Sequence, residues 1–345
     1  RYGYSGDPLY FRFGSLPNTT LGNGFIMNRY TNTLFLPETR IFGLEFDLDG
    51  RLFDFPYLGI ETIFSDVAKW VSTGDIIGTR LYGRPFGGLD VPVLKDFQIG
   101  TSFVTDLDPF RFANSNTLLQ AQSSGVETDN ARVWALGWDI YQPIVNKEKI
   151  TFDVFGDVVT LNMDSWGEMI GFKGLIIQHI TYMFQTRFIG ENFMPVYFDG
   201  AYDISRAQKY MILNDTTTSP FYVSWLFSIG ATFFDNNLVF NFTMDGPFGE
   251  VDDDPTNYLN HPHLLAIFYM NPGVIPVLSF STSYDKKMIQ SFRDIFESDN
   301  LLINARINAQ ISAAVISFIH TVRYNENNWS EPEIQSGLEV SVQFF

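Results

Sequence analysis

Along much of this chain, apolar and polar residues alternate one by one. In "FYVSWLFSIGATFF" the odd positions Phe221, Val223, Trp225, Phe227, Ile229, Ala231 and Phe233 are apolar, with Tyr222, Ser224, Ser228, Gly230 and Thr232 between them. "LLINARINAQI" sets Leu301, Ile303, Ala305, Ile307, Ala309 and Ile311 against Asn304, Arg306, Asn308 and Gln310. "LVFNFTMD" repeats the pattern with Leu238, Phe240, Phe242 and Met244. Period-two patterning predicts strands with one apolar and one polar face.

The pattern predicts about sixteen strands, near 8–15, 38–49, 52–65, 75–84, 95–106, 130–143, 149–162, 166–176, 178–189, 219–234, 236–246, 262–271, 274–285, 299–311, 313–325 and 334–345. Strands of a soluble sandwich average about 5–6 residues. Many of these run roughly twice that, close to the ~9–11 residues that cross a bilayer at a tilt. Their apolar faces are rich in Phe, Trp and Ile and nearly free of charge, so those faces are expected to meet lipid and the polar faces to line an interior.

The links support the same reading. Tight turns are expected at 48–51, 146–148, 178–179, 235–237, 271–273 and 312–313, with 85–94 a longer link on that side. The intervening links are mostly long, near 16–37, 107–129, 190–218, 247–261, 286–298 and 326–333, with "NMDS" near 162–165 a short exception. Alternating short turns and long loops are the habit of an outer-membrane barrel. The expected fold is therefore all-β: one transmembrane antiparallel β-barrel domain over 1–345. The alternative has about fourteen strands, with "SLPNTTLGNGFIMNRY" (15–30) as an N-terminal segment inside the lumen.

Composition agrees. Phe occurs 35 times and aromatics make up 17% of the chain, more rings than a soluble core needs. No run of 18 apolar residues predicts a transmembrane helix. The start at Arg1, without an apolar signal core, reads as a mature or trimmed form. Absence of cysteine removes disulfide and thiol chemistry. A net charge of −17, with no Lys/Arg cluster, argues against nucleic acid as a partner.

The chain ends "IQSGLEVSVQFF", with Ile334, Ser336, Leu338, Val340, Val342 and Phe344 on one face of an extended strand. With this terminus and the whole-chain pattern, the sequence resembles the bacterial outer-membrane β-barrel family, and its porin-like members in particular. The resemblance implies a bacterial outer-membrane location, lipid and lipopolysaccharide around the wall, and a terminal aromatic read by the barrel-assembly machinery. Phe344 is in the apolar register and Phe345 is one residue out of phase, so either ring can supply that signal. Porins of this size are often homotrimers, and the one-dimensional pattern does not decide the assembly.

No Walker loop, HExxH or GxSxG motif is present, so the chain is not read as an enzyme, and no cofactor or metal is expected. "HPH" (261–263) lacks partners at ligand spacing and reads as an exposed loop end. His320 alternates with Phe318 and Val322 and reads as a residue of the lipid interface. The acidic "EVDDDPTN" (250–257) lacks EF-hand spacing and reads as a solvated loop, or as a weak divalent-ion contact to lipopolysaccharide. "LGNGF" (21–25) has no strand–helix context for phosphate, and its glycines suit a loop bending over or into a pore.

The polar faces supply the pore-lining candidates Arg80, Asp139, Asp153, Asp157, Lys173, Arg187, Asn304, Arg306, Arg323 and Glu339. Asp153 and Asp157 are roughly 13 Å apart along one strand at ~3.3 Å per residue, too far to share a proton. These charges either shape the field in an open lumen or pair off and plug it. The longest link carries Tyr197, Tyr202, Asp203, Arg206 and Lys209, candidates for a constriction or solute contact.

The expected function is diffusion of small polar solutes, with a modest cation preference set by the acidic outer loops. Two alternatives stand beside it. One is a transporter of hydrophobic compounds, resembling the long-chain fatty-acid transporters. The other is a plugged, non-conducting structural or assembly barrel.

Overall fold

A computed structural model of the chain describes all residues except 1, 4, 36–38, 69–74, 90, 92, 215–218, 236, 254–257, 298, 313, 326–327 and 343–345. The side chains of 258, 323–325, 328–332, 341 and 342 also lie outside the described part. Sixteen strands follow one another in a single antiparallel meander. They are β1 (Leu9–Gly14), β2 (Gly43–Asp49), β3 (Leu58–Phe64), β4 (Ile76–Gly83), β5 (Gln98–Asp106), β6 (Val133–Lys147), β7 (Ile150–Leu161) and β8 (Ser165–Ile176). Then come β9 (Ile180–Ile189), β10 (Tyr222–Phe233), β11 (Leu238–Pro247), β12 (His263–Ile275), β13 (Leu278–Lys286), β14 (Leu301–Ile311), β15 (Ala314–Asn325) and β16 (Asn328–Val342). The short helices α1 (Ser115–Ser123) and α2 (Tyr202–Leu213) sit in two of the long links.

Every strand pairs with its sequence neighbours, and the registers keep each polar face continuous from strand to strand. Ser228 lies opposite Thr243, Asn304 opposite Thr321, and Ser317 opposite Glu339. The other face carries exposed apolar side chains, among them Trp138, Ile170, Phe227, Phe240, Ile307 and Leu338. Phe221, Phe242 and Phe318 share that exposure, and Val223, Trp225, Leu238 and Ile303 are half-buried. His320 points the same way and bonds Ser336 at 2.8 Å.

Several links differ from their sequence expectation for physical reasons. "NPG" (271–273) is not a turn: β12 runs on through a register shift between Met270 and Ile275, and the reversal follows at Pro276 and Val277. The turns at Asn162–Met163, Ile177–Gln178 and Phe234–Asp235 each place two consecutive non-glycine residues at positive φ. This twist matches a hairpin, but the sequences lack the Asn-Gly signature that would locate it. The expected long link over 326–333 is mostly strand, because Asn325 already pairs with Asn328.

Residues 1–30 divide between wall and interior. Leu9–Gly14 adds a strand to the sheet, so the wall count is sixteen rather than fourteen. The following segment then runs against the inner face. Leu16, Phe25, Met27 and Tyr30 are almost fully buried there with Ile63, Ile76, Val104, Val159 and Ile189 of the wall. Gly22 donates its backbone N–H to Glu61 on β3, Asn23 bonds Asp157 on β7, and Arg29 bonds Asn241 on β11. One short segment reaches three such distant strands only because the sheet curves round it. Arg40, just before β2, also pairs with Glu339 on β16, bringing the last strand within side-chain reach of the first hairpin.

Phe25 is 1% exposed, and large-to-small changes at such sites cost about 3–5 kcal/mol. Phe25→Ala is therefore expected to raise hydrogen exchange across 16–30 by about two orders of magnitude or more while the strand amides keep their protection. Unchanged exchange in that segment would show that it is not held by this packing.

Candidate functional site

The inner face has three tiers. The first lies toward the long-link edge, where the wall is aliphatic. The inserted segment and the 190–221 link seal against it. Phe198 pairs with Met27 in a short parallel bridge, and its N–H donates to Ile26 O at 3.1 Å. The rings of Tyr197, Phe198 and Tyr202 pack edge-to-face or tilted, with centroids 4.8 to 5.5 Å apart.

Within this apolar seal sits a buried ionic network. Arg206 of α2 is 1% exposed and grips Asp106 of β5 through Nη2 to Oδ1 (2.6 Å) and Nε to Oδ2 (3.1 Å). Tyr202 donates its hydroxyl to the same carboxylate at 2.7 Å. Tyr30 of the inserted segment reaches Asp203 at 3.2 Å. Arg111 pairs with Asp66 (2.6 Å) and Asp75 (3.1 Å), and Lys209 with Asp199 (2.8 Å) and the Tyr197 carbonyl (2.7 Å). Thus Tyr197, Tyr202, Asp203, Arg206 and Lys209 gather in one place, as a docking unit that ties α2 to the wall and to the inserted segment. A charge taken from water this completely is tolerated only when paired and hydrogen-bonded.

Burial pushes Asp203 up to about 7, opposed by Arg206 and reinforced by the nearby Asp75 and Asp106. Burial also raises Asp75, and it lowers Lys209.

A second tier crosses the middle of the wall. Arg80 makes a two-pronged bond to Asp139 (2.9 and 2.6 Å) and a third to Glu61 at 2.6 Å. Asp157 receives Asn23 at 3.0 Å. The inserted segment makes this approach at Gly22, whose φ is +56°. A Cβ there would lie 3.0 Å from the Arg80 side chain, so both conformation and space favour glycine. Lys173 pairs in register with Asp153 and sits over the Tyr141 and Phe155 rings at 5.0 and 5.4 Å. Arg187 bonds Gln185 at 2.9 Å. Over β3–β9 the charges are therefore spent largely on each other and on the inserted segment.

The third tier is the remaining arc, β11–β16 with β1, whose inner face is polar and partly exposed. Asn304, Arg306 and Asn308 line it, with Arg306 bonding Glu339 at 3.0 Å and Asn308 bonding Ser279 at 2.9 Å. Arg323 holds an inner-face register position opposite Glu333, its side chain lying outside the described part, as do Phe344 and Phe345 entirely.

Sequence reasoning missed three groups. Glu61 and Asp106 are inner-face acids that the alternation marks, but nothing local names their arginine partners. His263 is not an exposed loop end: it opens β12 and bridges Asp245 (2.8 Å) and Asp285 (3.0 Å) on the flanking strands. The third group is the Asp49 cluster near the short-link edge, where Asp49 binds Arg84, Arg51 and Tyr82. Among the described residues no helix is long and apolar enough to cross a membrane, and no group of three His, Cys, Asp or Glu could hold a metal ion. Neither statement bears on crossing by strands.

Asp203 sets a pH dependence whose sign is fixed. Its folded value near 7 lies above the ordinary ~3.9, so its contribution is full below about pH 4 and is lost as pH rises through 7. Amides of α2 are expected to exchange faster at pH 7.5 than at pH 4.5 after correction for intrinsic rates, and Asp203→Asn should flatten that difference. Separately, Arg206→Gln leaves the buried Asp106 carboxylate without its counter-charge, held by the Tyr202 hydroxyl and the Asp108 N–H, which should cost about 3–5 kcal/mol and release α2. Retained exchange protection of α2 in that variant would contradict the docking role.

No known family model matches the chain, and no characterised protein matches it at a significant level.

Proposed function

We propose that the meander closes between β1 and β16 into a β-barrel spanning a bacterial outer membrane, and that it passes small polar solutes along its polar arc. The observation that carries this is the inverted polarity of the sheet. Phe240, 46% exposed, and Ile307, Phe318 and Leu338 point outward into the surroundings, while Arg80, Asp106, Asp139 and Arg206 are buried within. In water that arrangement exposes the wrong face; in lipid it satisfies both faces. Closure removes the two open sheet edges, and the Arg40–Glu339 pair supports it.

The route then runs beside the inserted segment, not through a clear bore. Arg306, Asn304 and Asn308 line one side of it. The reading includes no chemical step. Lipid and lipopolysaccharide are the surroundings, and the barrel-assembly machinery is the expected insertion partner. A second reading, transport of hydrophobic compounds, is favoured by the inserted segment and by the aliphatic tier it covers.

Planar-bilayer conductance tests the channel: discrete steps are expected, and a silent protein would favour the plugged alternative. The net charge of −17, with Asp252 and Asp253 in the 248–262 link, should give a modest cation preference that fades in molar salt. Changing Asp252, Asp253 and Asp254 together to Asn should shrink it, and reversal potentials read the result. Phe240→Arg should cost roughly 2–4 kcal/mol on folding into liposomes if the site lies near mid-bilayer. A near-neutral effect would reverse the assignment of faces.

A further inference from the structure

Arg29, partly exposed as a whole residue, stands apart from Arg80, Arg84, Arg111 and Arg206. It lies at the end of the inserted segment with φ +57°, a conformation that non-glycine residues adopt only when the surroundings impose it. Nη2 donates to Asn241 Oδ1 at 2.8 Å, while Nη1 is buried with no hydrogen-bond partner. Arg80, Arg84, Arg111 and Arg206 each face a carboxylate within 3.1 Å; Arg29 faces none among the described residues. The nearby acid on the same strand, Asp245, is already held by His263. A partly desolvated guanidinium with one unpartnered nitrogen and no counter-charge is costly, and a two-oxygen anion is the group that its fork fits.

The surroundings of Arg29 define what such an anion would carry. Asn241, Ser228 and Thr243 form a hydroxyl–amide cluster, linked at 3.0–3.1 Å. Directly across the strand pair, Ile267 is in register with Asn241 and Tyr269 with Val239, on the same inner face. Tyr269 is 37% exposed there, so an apolar strip with an accessible ring adjoins the cation.

We infer that this junction of inserted segment and wall is a binding site for a small amphipathic monocarboxylate. Its carboxylate pairs with the Arg29 guanidinium, and its apolar body lies along Ile267 and Tyr269. The inference rests on the channel reading for its biological use, though the site itself needs no conduction. It also assigns the inserted segment a role beyond obstruction: it carries the recognition group into the solute path.

The test is equilibrium binding to the full-length protein in detergent, with benzoate as the probe and neutral, isosteric benzamide as its control. Benzoate should bind about tenfold or more tighter, as expected when a charged hydrogen bond is at stake. Arg29→Gln should abolish that discrimination, and Tyr269→Ala should weaken benzoate while leaving the inserted segment docked. Equal binding of benzoate and benzamide by the wild type would overturn the inference, as would full discrimination in Arg29→Gln. If Arg29→Gln frees the segment, as hydrogen exchange over 16–30 would show, Tyr269→Ala decides, and undiminished benzoate affinity in it overturns the inference. The two readings fail separately. Benzoate selectivity without conductance removes the channel and keeps the site; conductance without benzoate selectivity does the reverse.

Discussion

The structure depends on one constraint: the antiparallel register never slips between neighbouring strands in a way that would exchange the two faces. A slip of one residue in any pair would turn a whole polar face outward. Three register shifts occur among the described strands: those in β6 near Pro143 and in β12 after Met270 lie toward the short-link edge, and the third, at Tyr324–Asn325 of β15, lies toward the long-link edge. Because the ladder holds, Arg80, Glu61, Asp139 and Asp157 come from four strands into one belt.

That belt and the aliphatic tier beside it explain why the inserted segment can stay inside. Apolar burial of Leu16, Phe25 and Met27 supplies the non-directional part of its binding. The polar part is specific, with Gly22 to Glu61 and Asn23 to Asp157 fixing the segment at the belt and Tyr30 to Asp203 fixing it in the seal. The 190–221 link closes over it from the other side and is held by Arg206 on Asp106. Segment, α2 and wall thus form a single packed unit on one side of the concavity, while the opposite arc stays polar and accessible. On the proposed channel reading, this asymmetry confines solute contact to the arc where side chains are not already committed.

The pairing of charge also separates tasks. Carboxylates deep in the seal, Asp106 and Asp203, serve docking, and the titration of Asp203 couples that docking to pH. Arg306 and Glu339 on the open arc pair with one another but remain partly exposed, which on the proposed channel reading places them beside the solute. Arg29 belongs to the inserted segment yet bonds Asn241 at the start of the open arc, so the proposed monocarboxylate site would make the segment part of the solute surface.

The period-two alternation by itself indicated about sixteen strands, with fourteen as the alternative, most of the order of long and short links apart from 271–273 and 326–333, and which side chains share a face. Those properties are local, because a strand's side-chain direction follows from the backbone of that strand alone. The glycines of "LGNGF" likewise marked a bend inside the concavity. Where turns lacked a Gly or Asn signature, as at Ile177 and Phe234, the exact reversal was set by the strands on either side. Partners were decided only by tertiary structure. Nothing in the neighbourhood of Arg206 names Asp106, one hundred residues away, and nothing near Arg29 indicates that it lacks a carboxylate. "HPH" read as an exposed loop end until register placed His263 between Asp245 and Asp285. Alternation assigns a residue to a face, whereas its partner depends on how the strands are staggered and on which segment folds back to cover them.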